Sequence, residues 1–307
     1  LESIYQSKKN SKISFEVCIS DNASKENTSE VVNEYINKID IKFNINKENL
    51  GLGANILKSV EMARGEFVWI IGNDDMLMKN TLEKLKNLFI EHSNVDYYYI
   101  NTFHLSSEYV FKHDQPFDHR YLPAKMKKFT LINNDKKCNY FELINPNYAF
   151  DFLLGQFLSI FRRDQWIKNL SEIDNNQIQD RNNMSNIYVT FPHCIIFAKA
   201  FRHSKAFFHA EPLSIALYGE REWWDDLYPF VESVRIPELV DVYRKNGLSF
   251  FKYLRCKNFA LRKLIPNLFK VFFLKNYNGS NYINFKKHIL FNLLYPSIYY
   301  GSIFYLF

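Results

Sequence analysis

The sequence predicts an open α/β sheet with helices on both faces, and three observations carry that reading. Strand-length apolar runs alternate with segments of helical period from residue 13 to about 104. Two of the runs end in polar stops, Ser20-Asp21-Asn22 and Gly72-Asn73-Asp74-Asp75. The run FVWII at 67–71 is continuously apolar, as in a strand buried on both faces of a parallel sheet. With 307 residues, 47% of them hydrophobic and 23% charged, the chain has material for a sizeable core, and intrinsic disorder is excluded.

In chain order, residues 1–10 read as the back half of a helix. They lack the long apolar stretch of a signal peptide, so export is not expected. Residues 13–19 (ISFEVCI) form a strand, and 24–39 a helix with Val31, Val32, Tyr35, Ile36 and Ile39 at helical spacing. A short strand spans 41–45, a turn 49–53 and a helix 54–64, with Gly65 as its stop. After the strand at 67–71 come a helix over 80–91 and a strand over 96–103. Residues 105–150 lose the rhythm and read as an insertion with a hairpin or short helices. A strand at 157–161, a mostly buried helix over 185–201 and strand and loop over 206–218 follow, and beyond residue 220 the chain is helical and aromatic. Cys18, Cys138, Cys194 and Cys256 lie far apart, which indicates neither a zinc knuckle nor a disulfide framework.

Asp74 and Asp75 are the sharpest chemical feature. Adjacent carboxylates at the mouth of a sheet repel one another unless a cation sits between them, and hard oxygen ligands suit Mg²⁺ or Mn²⁺ bridging a diphosphate. The competing reading is a helix N-cap. Asp21, Asn22 and Ser24 end a second strand on the same edge, so one ligand would touch both ends. The glycines of Asn49-Leu50-Gly51-Leu52-Gly53 either let a backbone approach that ligand or simply make a tight turn.

SDNAS (20–24), NLGLGANIL (49–57) and ARGEFVWIIGNDDML (63–77) together resemble the family 2 glycosyltransferases of GT-A fold, and within them the O-antigen abequosyltransferase-like branch. The resemblance covers residues 1–104 and extends loosely to about 220. It implies a GT-A domain over 1–220, a Rossmann-like mixed sheet flanked by helices, and a nucleotide-sugar donor. Asp21 then bonds the base or ribose, and Asp74 and Asp75 end the DxD signature that holds the metal. Asn22, Asn49 and Asn73 are the further candidates for the nucleotide site. Gly72 and Asn73 stand where relatives carry Asp, which predicts weaker or shifted metal binding. The family opens with a strand and a loop that cradle the nucleotide, ahead of a helix whose later part looks like Leu1-Glu2-Ser3-Ile4. A chain entering after that strand is expected to bind the nucleotide poorly.

Inverting members need a base for the acceptor hydroxyl, most often an acid in a Glu-Asp pair. No such pair occurs in the corresponding segment 187–200 (IYVTFPHCIIFAKA), so His193 is the candidate base, with Asp180 and Asp151 as rivals and a structural imidazole as the plain alternative. Tyr218, Glu220, Arg221, Trp223, Trp224, Asp225 and Asp226 suggest an acceptor site or a self-capped helix start. His203 and His209 are either an extra metal ligand or surface histidines.

Residues 241–307 hold eleven Lys or Arg against one acid, Asp241, so an acidic body carries a basic end. Aromatic residues alternate with the cations, and 289–307 lacks charge but is interrupted by Asn292, Pro296 and Gly301. A monotopic anchor over 242–307 at an anionic membrane is expected, the alternative being a helical cap on the catalytic domain; no motif supports nucleic acid. The whole predicts a metal-assisted, inverting transferase within a bacterium, working at the cytoplasmic membrane surface on a lipid-linked or lipopolysaccharide acceptor. Its basic, aromatic extension is 221–307. The alternatives are a non-catalytic nucleotide- or glycan-binding relative and a nucleotidyltransferase.

Overall fold

The computed structural model describes every residue except Asn183, Glu220, Arg221 and Phe307, and only the backbone of 222–224 and 302–306. It opens with α1 (Glu2–Lys8), β1 (Val17–Asp21), α2 (Thr28–Tyr35), β2 (Ile41–Ile45), α3 (Leu52–Met62), β3 (Phe67–Trp69), β4 (Met76–Leu77), α4 (Thr81–Glu91) and β5 (Tyr97–Ser106). Residues 105–150 contain only short pieces, as expected: α5 (Ser107–Phe111), β6 (Lys127–Lys128), β7 (Lys136–Asn139) and α6 (Tyr140–Leu143). Then come β8 (Ser159–Arg162), α7 (Arg163–Lys168), α8 (Ile187–Thr190), α9 (Pro192–Ala200) and β9 (Lys205–Tyr218). The helices α10 (Glu222–Phe230), α11 (Ile236–Lys245), α12 (Phe250–Ala260), α13 (Leu264–Phe273) and α14 (Ser297–Leu306) complete the chain. A π-turn over 231–235 joins α10 to α11.

The sheet is mixed, as the GT-A resemblance implies, and it corrects only the reading of 67–71 as a parallel strand. β1 and β2 form a parallel pair, and a separate seven-stranded sheet runs β3-β8-β5-β9-β4, with β6 on β5 and β7 on β9. β3 is antiparallel to β8 and has no other strand partner among the described residues. The apolar run FVWII is therefore not a central parallel strand. Its burial comes from side chains: Phe67 stacks on Phe89 at 4.5 Å, and the Trp69 indole donates to Phe157 O at 2.8 Å.

β5 and β9 are the parallel spine, and their pairing is broken once. Tyr97–Ile100 pair with Ala206–His209, and the ladder resumes with Thr102 opposite Ser214, so four residues of β9 face Asn101 alone. The fully buried Asn101 amide fills the break. Nδ2 donates to Thr130 O and Ala210 O, and Oδ1 accepts from Thr102 N and Thr130 N. Such a bulge bends its strand. The first half of β9 pairs with β7 and the second half with β4, which carries the end of β9 toward the Asp74–Asp75 loop.

α9 is apolar on all sides and buried from Pro192 to Ala198, as a helix enclosed by the core must be. Phe197 meets Tyr97, Phe161 and Trp166 at 5.3, 4.9 and 5.6 Å. The same core cluster runs on to Phe230, Leu239, Tyr243, Cys256 and Val271, so the boundary expected at residue 220 does not divide the core. The helices after it cap the catalytic body.

α3 approaches α8 closely through Gly53. A Cβ there would lie 2.8 Å from Ile178 Cδ1 and 2.9 Å from Val189 O. Gly53→Ala is expected to destabilise the fold by about 1–3 kcal/mol through overpacking, read as a lower denaturant midpoint at unchanged slope.

Candidate active site

The Asp74–Asp75 loop is a tight turn in which Asp75 N donates to Gly72 O and Gly72 N donates back to Asp75 Oδ2 at 2.7 Å. A Cβ on Gly72 would lie 2.4 Å from Asp74 Oδ1 and 3.1 Å from Asp75 Oδ2. Both carboxylates therefore converge on the face of Gly72, their oxygens no further apart than the sum of those distances. A side chain at position 72 would displace the Asp74 carboxylate from this arrangement. The N-cap of α4 is Asn80, so neither aspartate serves as a helix cap.

The pair lines a cavity of about 310 Å³ whose walls include His104, Asp151, His193, Tyr218 and Asp225. Asp21, Asn22, Asn49 and Asn73 do not line it. Instead Asn22 ties β1 to the glycine turn: Oδ1 accepts from Leu50 N, and Nδ2 donates to Asn49 Oδ1 and Gly51 O. Asp21 Oδ1 accepts from Ser24 N and closes its own turn. These residues reach the cavity through Leu52 and Ile56 of α3, which do line it. Asp180 is also outside it, its Oδ1 accepting from Asn182. His209 donates or accepts through Nδ1 at 2.9 Å from Asp135 and is structural, and His203 lies exposed in the turn before β9. Within the aromatic cluster after β9, Tyr218 and Asp225 line the cavity; Glu220, Arg221 and the side chains of Trp223 and Trp224 lie outside the described residues.

Asp151, a rival to His193 in the sequence, begins a segment of unusual backbone. The next two residues, Phe152 and Leu153, are fully buried and left-handed, with φ of 56° and 70°. That conformation costs an L-residue roughly 1–2 kcal/mol each. Three consecutive carbonyls are gripped to hold it: Tyr243 Oη donates to Phe152 O at 2.8 Å, Cys194 Sγ to Leu153 O at 3.2 Å and His193 Nε2 to Leu154 O at 2.9 Å. The Asp151 carboxylate accepts from Leu153 N and Gly155 N. Two adjacent non-glycine residues in the left-handed region leave no mark in sequence.

His193 departs from the poised imidazole expected of it. Nε2 is committed as a donor to Leu154 O, Nδ1 is buried without a partner, and burial holds the ring down at about 4. Asp151 is displaced the other way. Burial pushes its carboxyl up to about 6, against the pull of the Gly155 and Leu153 amides.

Among the described residues no three His, Cys, Asp or Glu side chains cluster as a metal site. Asp74 and Asp75 fit a hard cation that takes its other oxygens from a diphosphate and water, the usual habit of Mg²⁺.

The fold is GT-A, and the comparisons agree with it. The family model "Glycosyl transferase family 2" matches residues 1–154, half of the sequence, and the chain belongs to that family. Abequosyltransferase RfbV of Salmonella typhimurium is 41% identical over 76 residues, 24% of this chain and 23% of that one, so less than a quarter of that relative's length is matched. Among solved structures, S. aureus TarS 1-349 in complex with UDP-GlcNAc superposes with a TM-score of 0.53 at 16% identity, covering 88% of this chain and 67% of that one.

The two shifted groups oppose each other in proton linkage. With a folded pKa raised to about 6, Asp151 contributes stability that falls as pH rises from about 4 to 6. His193, lowered to about 4 from 6.5, contributes stability that rises over nearly the same range. Asp151→Asn should therefore show a melting temperature that climbs more steeply between pH 4 and 6 than the parent's, and His193→Gln one that climbs less steeply, in calorimetric scans.

Proposed function

We propose that this chain transfers a sugar from a nucleoside-diphosphate donor to a glycan or lipid-linked acceptor, with inversion, in bacterial surface-polysaccharide synthesis. The observation that carries the proposal is the convergence of Asp74 and Asp75 over Gly72 at the wall of a cavity large enough for a sugar. A nucleotide-sugar donor is in keeping with the UDP-GlcNAc named for TarS, and a glycan product with the activity named for RfbV.

Asp74 and Asp75 would hold Mg²⁺ or Mn²⁺. When bound, the cation would offset the negative charge of the diphosphate. The rest falls to the chain itself. The β1 end and the glycine turn, braced by Asn22 and Asn49, support the nucleotide side through α3, and Asn73 extends the carboxylate loop. The cavity walls would hold the acceptor.

The C-terminal helices support work at a membrane surface, on its cytoplasmic side where anionic lipid attracts basic segments. Phe251, Phe273 and Leu294 are 83, 73 and 88% exposed, and Phe250, Phe269, Phe285 and Phe291 are exposed as well, among the cations of the same region. Among the described residues no helix is long and apolar enough to cross a membrane. The uncharged end is split between a short 3₁₀ turn at Leu290–Asn292 and α14. An interfacial anchor fits both facts, since basic residues near an anionic surface add about 1 kcal/mol each.

Two experiments test this. Asp74→Asn and Asp75→Asn should abolish Mn²⁺-dependent binding of nucleoside diphosphates in calorimetry while leaving the melting curve nearly unchanged, because both lie on a loop. Unchanged metal dependence in both would remove the assignment, and nucleotide binding without any sugar release would favour a non-catalytic relative. For the membrane, truncation would tear out core residues such as Tyr243 and Cys256. The triple variant Phe251→Ser/Phe273→Ser/Leu294→Ser is the better probe. It should lower affinity for anionic liposomes by about tenfold or more without loss of fold, and equal sedimentation would place the contact elsewhere.

A further inference from the structure

We propose that Asp151 takes the proton of the attacking acceptor hydroxyl, and that His193, Cys194 and Tyr243 are positioning residues that hold it in place through the carbonyls of its own loop. The inference rests on the transferase reading and adds to it the identity of the base.

Placement is the first argument. Asp151 is only 5% exposed, yet it lines the same cavity as the Asp74–Asp75 pair, so donor and base would share one cleft. The Leu153 and Gly155 amides, one on each oxygen, and its own backbone amide still leave the carboxylate a lone pair for a proton. The second argument is the loop. Consecutive left-handed Phe152 and Leu153 persist because Tyr243, Cys194 and His193 fix the carbonyls of 152, 153 and 154, and strain of this kind collects at functional sites. α9 and α11 thus fix the loop that carries Asp151.

The surroundings are the third argument. Tyr97 and Tyr99 of β5 and Cys194 of α9 face Asp151, His193 of α9 and Tyr243 of α11 bond the carbonyls of its loop, and His104, Asp74, Asp75 and Asp225 stand around the cavity. No Lys or Arg is among the described residues that line it. A carboxylate without a cation partner keeps its basicity. Burial moves it into the range where it takes a proton at working pH, whereas it moves His193 out of that range. Three cavity-wall residues, His104, Gln156 and His193, each carry a buried polar atom without a partner, and a polyhydroxyl acceptor would supply partners of that kind.

In the step, a lone pair of the acceptor oxygen forms the bond to the anomeric carbon and its proton passes to an Asp151 oxygen. The bond from that carbon to the diphosphate oxygen breaks, and its electron pair leaves on the nucleoside diphosphate. The charge lost at Asp151 equals the charge gained by the leaving group.

The test uses the intact gene product and a panel of UDP-, GDP-, CDP- and dTDP-linked hexoses. It reads Mn²⁺-dependent hydrolysis with water as acceptor and, separately, binding of the free nucleoside diphosphates. The wild-type rate should fall below an acid limb near pH 6. Asp151→Asn should lose about 10²- to 10⁴-fold in rate, lose the limb and bind nucleotide as before. His193→Ala should lose rate and displace the limb, and His193→Gln, whose amide still donates to Leu154 O, should restore both. A wild-type profile without that limb overturns the assignment even where the Asn variant folds poorly. So does an Asp151→Asn enzyme of normal rate, or a His193→Gln enzyme as inactive as His193→Ala with the limb untouched in Asp151→Asn. A wild-type protein that binds no nucleoside diphosphate and hydrolyses no donor brings down the transferase reading itself.

Discussion

Three hydrogen bonds to three consecutive carbonyls, of Phe152, Leu153 and Leu154, tie α9 and α11 to the cavity wall. They come from Tyr243 on α11 and from Cys194 and His193 on α9. A strained segment persists only where its surroundings fix it from several sides. Here the fixing residues are themselves held: α9 is wrapped by Tyr97, Phe161 and Trp166, and α11 is packed on α9 and α12. Removing the helices after residue 220 would take away the Tyr243 bond, one of the three that fix the Asp151 loop. Those helices share the core cluster of the body that carries the cavity.

The same helices carry a buried ionic cluster that explains how they stay docked. Burial alone would push the Glu238 carboxyl up, but the hydrogen bond from His288 and the charges of Arg235 and Lys287 hold it at about 2. Lys257, also buried, is pressed down by burial yet meets Asp241 at 2.7 Å and donates to Pro237 O. Breaking a buried pair by removing one partner is far costlier than losing a surface one. The cluster binds residues 287–288 to α11 across some fifty residues of sequence. It consumes part of the basic excess inward, as do Arg262 and Lys263 on the buried Glu232, while the exposed Phe and Leu side chains face out.

Much of the site was legible. Asp74 and Asp75 could be read from the end of an apolar run, because strand ends meet the cavity of an open sheet whatever the details of pairing. Asp21, Asn22 and Asn49 were legible as strand-end and turn residues, yet not as residues outside the cavity, since that depends on α3 lying between. His193 was found by its position at a helix start. What it does there was hidden, because its environment is set by Leu154 O, thirty-nine residues away in sequence.

By itself the sequence determined the alternation of elements from β1 to β5, the buried character of α9, the irregularity of 105–150, the helical end and the family. Each is written in local periodicity, in turn residues or in motifs of short range. Tertiary structure alone decided that β3 pairs antiparallel with β8, that β9 breaks over Asn101 and changes partners, and that Asp151 and His193 share one wall with their proton affinities pushed in opposite directions. Those outcomes depend on contacts between residues far apart in the chain. A backbone forced left-handed without glycine, or a carboxylate buried without a cation, acquires its properties only from what folds around it.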